Sequence, residues 1–494
     1  MSRKMKQHIK DEISIPPEIV NAFKLEDTGY NLLLKGQAGV GKTTFAMSLL
    51  AFFTEYTPVY LSTRVAPSSL YSQFPWLKGK LAPENILDAT RTYIPPAQDP
   101  EGSQMKEHLM QTIRFQTIPE FLKIIYEKVA QYEHPIIVID SWDAIIGPGR
   151  NQNDQVETLF TEFIRQSNSK LILIAESDTH GFLDYIVDGI LTLRDGEIAG
   201  RTFRTIEINK IRAVERKQKQ YAFTLYHNKF QYLPPYSKEK FVNISQYQPV
   251  QDKDDLFSTG NESLDEIYGG GLRPGTFNLL EVESNVPISS VSSIFIAILC
   301  QFIQNGRGAI IRASDGINSD LLDKKRLFLY LPTDRISKYM KILQNQISDR
   351  KEIRPYIRQV DEENFNEVFF DTYSKLSSVS KFQPVFAGIS YDNLQFMVDF
   401  NKTIGLFDKH LKLIRNSNVI ELGIINSSRS GNSVSEEYNN LTADLSYIAT
   451  THIKIIEQHG AIMIYSIKPR NASLFCIKTT FHKGYPQIEL LPIV

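Results

Sequence analysis

The segment Gly36-Gln37-Ala38-Gly39-Val40-Gly41-Lys42-Thr43 constrains this chain more than any other part of it. It matches the pattern G-x-x-x-x-G-K-[ST] and lies between an apolar run, Tyr30 to Lys35, and a helix-forming run, Thr44 to Phe53. Strand, glycine-rich turn and helix in that order are the context in which the pattern binds phosphate. The glycines let successive backbone N–H groups curl inward around phosphate oxygens, and the helix N-terminus adds partial positive charge. Lys42 is expected to reach the β- and γ-phosphates and the Thr43 hydroxyl to ligate Mg²⁺. Contacts to the ligand are expected from Gly36 through Thr44. A flexible turn with a chance Lys-Thr would leave the flanking strand and helix unexplained.

A second carboxylate usually completes such a metal site from the end of a neighbouring strand. Ile136-Ile137-Val138-Ile139-Asp140 is an apolar run ending in Asp. Alone, such a run is only a strand meeting its turn. Beside the loop, Asp140 becomes the candidate that holds Mg²⁺ through its waters.

Further apolar runs at Pro58 to Ser62, Lys170 to Glu176 and Gly189 to Arg194 read as strands. Between them, Thr117 to Tyr132 sets Ile118, Phe121, Leu122, Ile125 and Val129 on one helical face. Apolar strands alternating with amphipathic helices predict an α/β fold with a mostly parallel sheet. A polar stretch from Leu233 to Asp255 then interrupts the pattern, and the series begins again. Strands are predicted at Thr276 to Val282, Gly308 to Arg312, Pro384 to Ile389, Val419 to Asn426 and His452 to Glu457. The repetition predicts two homologous domains, over 1–240 and 257–494, joined by a linker at 241–256.

Composition narrows the class. At ~100–200 residues per domain, 494 residues can hold several cores, and 42% hydrophobic with 22% charged residues excludes wholesale disorder. A net charge of −1 gives no overall field toward nucleic acid or anionic membrane. Cys300 and Cys476 are too few for a disulfide framework or a four-ligand zinc site and read as small buried hydrophobes. The N-terminal MSRKMKQHIKDEIS has no apolar core, and the longest apolar stretch, Ile294 to Ile303, falls short of the ~20 residues a bilayer requires. A cytoplasmic protein without a membrane partner is expected.

The phrase Ser258-Thr-Gly-Asn-Glu-Ser-Leu-Asp-Glu-Ile-Tyr-Gly-Gly-Gly-Leu resembles the domain-opening signature of the RecA/KaiC group of ATPases. Asp140-Ser-Trp-Asp is similar to the strand end of that group, and the tandem layout is similar to its double-domain members. The resemblance implies two tandem RecA-like P-loop domains, ATP and Mg²⁺ as ligands, and self-assembly into a hexamer or another homo-oligomer. Tyr60-Leu-Ser-Thr-Arg-Val65 also resembles a segment of the gas-vesicle regulatory GvpD proteins and their P-loop relatives. That narrower resemblance implies an archaeal regulator that binds a protein partner, a transcription regulator.

The departures are as informative. The KaiC group places two glutamates beyond the strand after the loop helix to polarise the attacking water, and here Thr63, Arg64 and Val65 fall in that region. Loss of a water-positioning group spares binding and slows hydrolysis. Glu176 or Asp143 could take the role, or both could be solvated turn carboxylates; Arg64 could touch phosphate or be a surface cation. Lys42 and Glu176 are the candidate catalytic residues. In the second half the loop reads Glu283-Ser-Asn-Val-Pro-Ile-Ser-Ser-Val, without the lysine and with Pro287 removing an N–H donor. Aligning Ile389-Ser390-Tyr391-Asp392 on Asp140-Ser-Trp-Asp puts Ile389 in the metal carboxylate's place. This domain is expected to bind no nucleotide and to serve as a scaffold or partner-binding unit.

Arg201 to Lys219 carries seven Lys or Arg against two Glu. Within it, Lys210-Ile-Arg212 resembles the K-x-R element with which the KaiC group reaches a neighbouring subunit's nucleotide, and Lys468-Pro-Arg470 corresponds in the second half. The same cations could be a solvated hairpin face; nucleic acid is a third reading and not the favoured one, because no DNA-binding module accompanies them. The 23 Tyr and 29 Phe are dispersed and read as core. The expected function is an ATP-binding regulator with weak hydrolysis, the alternatives being an active ring-forming ATPase or a DNA-binding recombination accessory.

Overall fold

The computed structural model describes residues 12–25, 28–63, 67–88, 125–127, 130–146, 157–158, 160–162, 164–165, 167–176, 181–237, 244–312, 327–344, 355–361, 364–381, 383–391, 400–427, 436–481 and 483–494. Arg64, Val65, Asp392 and, from the predicted helical face, Ile118, Phe121, Leu122 and Val129 lie outside them. The chain divides into two units, residues 1–234 with 492–494, and residues 235–491.

Among the described residues the first unit forms a nine-stranded sheet. In spatial order it runs β3 (Ile86–Asp88), β2 (Thr57–Ser62), β4 (Pro135–Asp140), β5 (Lys170–Ile174), β1 (Tyr30–Lys35) and β6 (Gly189–Ile198), all parallel. It continues antiparallel through β7 (Arg201–Ile211), β8 (Gln220–Thr224) and β9 (Gln231–Leu233). The central strands are covered on both faces, which is why they read as unbroken apolar runs. Leu32 and Leu34 pack with Phe45 and Leu49 of the helix Lys42–Phe52, while Leu33 joins Ile137, Ile139 and Leu171 on the opposite face. The polar residue Asn31 in β1 is fully buried, and its backbone N–H and Nδ2 donate to Asp188 Oδ2 at 3.1 and 3.3 Å.

Among the described residues the second unit repeats the path with one more edge strand. Its order is β13 (Ile357–Gln359), β12 (Met340–Gln344), β11 (Ala309–Arg312), β14 (Val385–Ser390), β15 (Val419–Ser427), β10 (Thr276–Glu283), β16 (Thr451–Gln458), β17 (Ala461–Lys468), β18 (Leu474–Thr480) and β19 (Gln487–Ile493). The α/β reading with two mostly parallel, tandem RecA-like sheets therefore holds. The registers coincide as well. Leu34 is flanked by Ile174 and Leu191, with Asp140 beyond Ile174. Leu280 is flanked in the same way by Ile424 and Ile453, with Ser390 beyond Ile424.

The segment that looks like a linker packs on the second unit. Tyr247 is buried and donates to Gln301 Oε1 at 2.9 Å, and Asp252 pairs with Arg307. The signature after it is a buried capping network: Asp265 accepts from the hydroxyls of Ser258 and Thr259, both at 2.6 Å, and Asn261 caps the helix Glu262–Ile267 through Leu264 N at 3.0 Å. Ile294 to Ile303 lies in the buried helix Ile288–Gln304. Among the described residues no helix is long and apolar enough to cross a membrane. Cys300 and Cys476 are both buried, and burial pushes the Cys476 thiol up to about 12.

Candidate functional site

The loop closes β1 onto its helix through three glycines with left-handed backbone, Gly36 (φ 146°), Gly39 (φ 86°) and Gly41 (φ 101°). Gly36 also has no room for a side chain, because a Cβ would lie 2.5 Å from the Leu193 carbonyl oxygen. Gly41 caps the helix, and its bare Cα faces the Leu225 side chain. Val40 is buried and fixes the loop from beneath, leaving Gln37, Ala38 and Gly39 exposed at the rim. Lys42 is buried, with its ammonium donating to the carbonyls of Gly36 at 2.5 Å and Gln37 at 2.8 Å. Its charge thus sits within the loop's curl. Thr44 follows on the first turn of the helix, partly exposed.

Thr43 and Asp140 meet directly, Thr43 Oγ1 donating to Asp140 Oδ2 at 2.7 Å. A hydroxyl and a carboxylate beside a phosphate cradle are hard oxygen donors and fit a Mg²⁺-like cation. The same Asp140 oxygen accepts a second hydrogen bond, from the Tyr60 hydroxyl at 3.1 Å. Tyr60 is 1% exposed; burial and the adjacent Asp140 carboxylate push its phenol well above the usual range, so it is a neutral donor. Sequence reasoning passed over this residue. The signal was present in the alternation of β2, which turns Tyr60 and Ser62 to one face, Ser62 paired with Asp140.

Thr63, just past β2 in the region noted for its lack of a carboxylate, binds the end of β4. Its N–H and hydroxyl both donate to the Asp140 carbonyl, at 2.8 and 3.0 Å, and its hydroxyl accepts from Ser141 N at 2.9 Å. Glu176 and Asp143 are neighbours: Asp143 Oδ2 accepts from Glu176 N at 2.6 Å, at the ends of β5 and β4. Asp143 is exposed and Glu176 half-buried.

The basic segment is largely engaged within its own unit. Lys210 donates to the carbonyls of Asp184 at 2.8 Å and Tyr185 at 3.2 Å, and burial and the neighbouring Arg212 lower its pKa. Arg212 pairs with Asp188 at 3.1 Å, Lys219 with Glu207 at 2.8 Å, and Arg216 donates to Ile208 O. Arg204, further along β7, donates to the loop itself at Gly39 O, 3.4 Å, and to Val494 O at 2.8 Å. Lys468 repeats the Lys210 contact in the second unit, donating to Tyr447 O at 2.9 Å.

The second unit keeps the loop's frame without its chemistry. Leu34 and Leu280 precede their helices by the same number of residues, so Pro287 takes the place of Gly41, Ile288 that of Lys42 and Ser289 that of Thr43. Val286 is buried, as Val40 is. Asn285, in the place of Gly39, donates to Glu457 Oε2, and Ser289 is hydrogen-bonded to the Tyr236 hydroxyl at 2.8 Å. One assignment from sequence alignment is corrected. Ile389 does not take the place of Asp140, because it faces the side of the sheet away from the helix Ile288–Gln304, among Leu279 and Val385. Side chains alternate along a strand. Asp140's register position and face belong to Ser390, next but one to Gly388, whose missing Cβ makes room for Phe295. Either way the carboxylate is gone.

Comparison with known proteins bears on this domain directly. Residues 20–209 match the model of the GvpD gas vesicle protein, P-loop domain. Protein GvpD2 of Halobacterium salinarum is 26% identical over 314 residues, covering 61% of this chain and 62% of the relative. Protein GvpD1 of the same organism is 25% identical, covering 60% and 55%. The circadian clock oscillator protein KaiC of Parathermosynechococcus lividus is 24% identical over 289 residues, covering 55% and 50%. The chain spans less than two thirds of the length of these relatives. The loop, the strand order and the family match agree: residues 20–209 form a P-loop domain similar to that of GvpD, in a chain similar to both GvpD and KaiC.

Proposed function

We propose that the chain is an ATP-binding regulatory protein of the KaiC and GvpD kind, with one Mg²⁺-dependent nucleotide site in its first unit. Gly36 to Thr44 would cradle the phosphates, Lys42 would neutralise them, and Thr43 with Asp140 would hold the cation, which when bound draws charge from the phosphates. The observation that carries the reading is the 2.7 Å meeting of Thr43 and Asp140 beside a glycine loop whose lysine is already turned inward. Nucleotide state would govern self-assembly, as a hexamer or another homo-oligomer, or the hold on a protein partner; the GvpD likeness suggests a transcription regulator. Weak hydrolysis would follow from Thr63, which stands just past β2 in place of a water-polarising carboxylate and bonds instead to the end of β4.

A faster ATPase is the second reading. It is favoured by the contact of the Asp143 carboxylate with the Glu176 backbone N–H, which ties an acidic residue past β4 to one past β5. Binding and turnover of ATP by wild-type protein and by Lys42→Ala decide between them. Binding that is lost in the variant, with turnover near background in the wild type, supports the regulator. Brisk wild-type turnover that Glu176→Gln abolishes while binding persists supports the ATPase. No binding by the wild type overturns both.

A further inference from the structure

We propose that Tyr60 is a positioning residue for the metal carboxylate, holding Asp140 by one oxygen so that the other is presented to the cation. The inference rests on the nucleotide reading above and adds a residue to it.

Asp140 stands at the last position of β4, where a carboxylate on a strand end would otherwise rotate. Both hydroxyl donors fall on the same atom: Thr43 Oγ1 lies 2.7 Å and Tyr60 Oη 3.1 Å from Oδ2. Among the described residues no hydrogen bond reaches Oδ1. One oxygen is therefore committed and the other remains to accept from metal-bound water. Tyr60 is itself well placed to be rigid. It sits in mid-strand on β2, paired with Val138, with its ring in the core beneath the loop helix and its hydroxyl also bonded to Ser62. A buried hydroxyl would be costly without a partner, so the Tyr60–Asp140 bond persists whether or not Thr43 turns its lone pairs to a cation. Groups that orient a metal's ligands are typically worth ~10–100-fold in metal affinity.

The test is Tyr60→Phe, which keeps the ring and removes the one oxygen. Binding of a fluorescent ATP analogue is titrated in EDTA and then against Mg²⁺, for wild type, Tyr60→Phe, Asp140→Ala and the double variant. The expected result is unchanged affinity in EDTA, a Mg²⁺ midpoint raised about tenfold in Tyr60→Phe, and no added effect of Tyr60→Phe once Asp140 is Ala. A merely structural role would lower affinity equally with and without Mg²⁺. A Mg²⁺ midpoint equal to wild type, or an equal loss in both conditions, overturns the role of Tyr60 and leaves the nucleotide site standing. A wild type that binds no analogue overturns the nucleotide reading as well. Should Tyr60→Phe fail to fold, Ser62→Ala, which removes the hydroxyl bonded to Tyr60, is expected to raise the midpoint in the same direction, and an unchanged midpoint there overturns the proposal.

Discussion

Lys35 and Asp184 form a buried ion pair, Nζ to Oδ2 2.8 Å, with 6% and 10% of their side chains exposed. Lys35 is the last residue of β1 before the loop opens. In the second unit the same sheet position is Glu281, which meets Lys454 at 2.7 Å and His452 at 3.0 Å. The two units thus hold the strand before the loop with pairs of inverted sign. Removing one partner of a buried pair strands the other. Lys35→Met is expected to cost about 3–5 kcal/mol in urea unfolding, and Lys35→Met with Asp184→Leu to recover most of that loss.

Gly36→Ala meets two obstacles, a left-handed φ and a carbonyl oxygen 2.5 Å from the new carbon. The loop must shift off Leu193, and the N–H groups shift with it. Nucleotide affinity is expected to fall more than tenfold, with roughly 1–3 kcal/mol lost from stability. Fluorescent nucleotide titration alongside denaturant unfolding reads both. Unchanged affinity would show that the cradle does not include Gly36.

The pH dependence of the second unit follows from Glu281. Burial raises its carboxyl, but hydrogen bonds from His452 and Lys454 outweigh burial and hold it at about 2, below the ordinary 4.5. A depressed folded-state value contributes stability above the unfolded pKa and loses it as pH falls through the folded one. The stability gap between wild type and Glu281→Gln is therefore expected to be widest near neutrality and to close between pH about 4.5 and about 2. Unfolding curves across that series measure it; a gap independent of pH would contradict the pairing.

One nucleotide per chain is expected. Pro287, Ile288 and Ser390 stand in the places of Gly41, Lys42 and Asp140, and Tyr236 is bonded to Ser289, in the place of Thr43. Isothermal titration with ATP and Mg²⁺ should give a stoichiometry near one, falling to zero in Lys42→Ala. A second equivalent surviving that substitution would mean that the second unit binds by other means.

Much of this was legible in the sequence for a simple reason. Strands buried on both faces, such as Tyr30 to Lys35 and Pro135 to Asp140, announce themselves as apolar runs, and the loop glycines are dictated by backbone geometry. The antiparallel strands were largely missed: β7, β18 and β19 mix buried with part-exposed residues and form no unbroken apolar run, whereas β17 is buried and apolar and was passed over all the same. That the connection packs on the second unit was not legible, because it does so through long-range pairs such as half-buried Asp252 with Arg307. Ile389 was misplaced because alignment on Ser-aromatic-Asp ignores which face each residue takes. Tyr60 was missed because hydroxyl-to-carboxylate contacts across neighbouring strands leave no mark in local spacing.

The second unit turns the same corner from strand to helix without Lys42, without the three glycines and with a proline at the cap. A turn that forms with none of the phosphate-binding groups is drawn by its surroundings: the buried valine beneath it and the strands on either side. The glycine loop of the first unit is set in the same surroundings. What the scaffold sets is the direction in which the chain turns from strand to helix; the left-handed curl at Gly36, Gly39 and Gly41 has no counterpart at Val282, Asn285 and Pro287, so the inward row of N–H groups belongs to the glycines and can be lost while the fold stays.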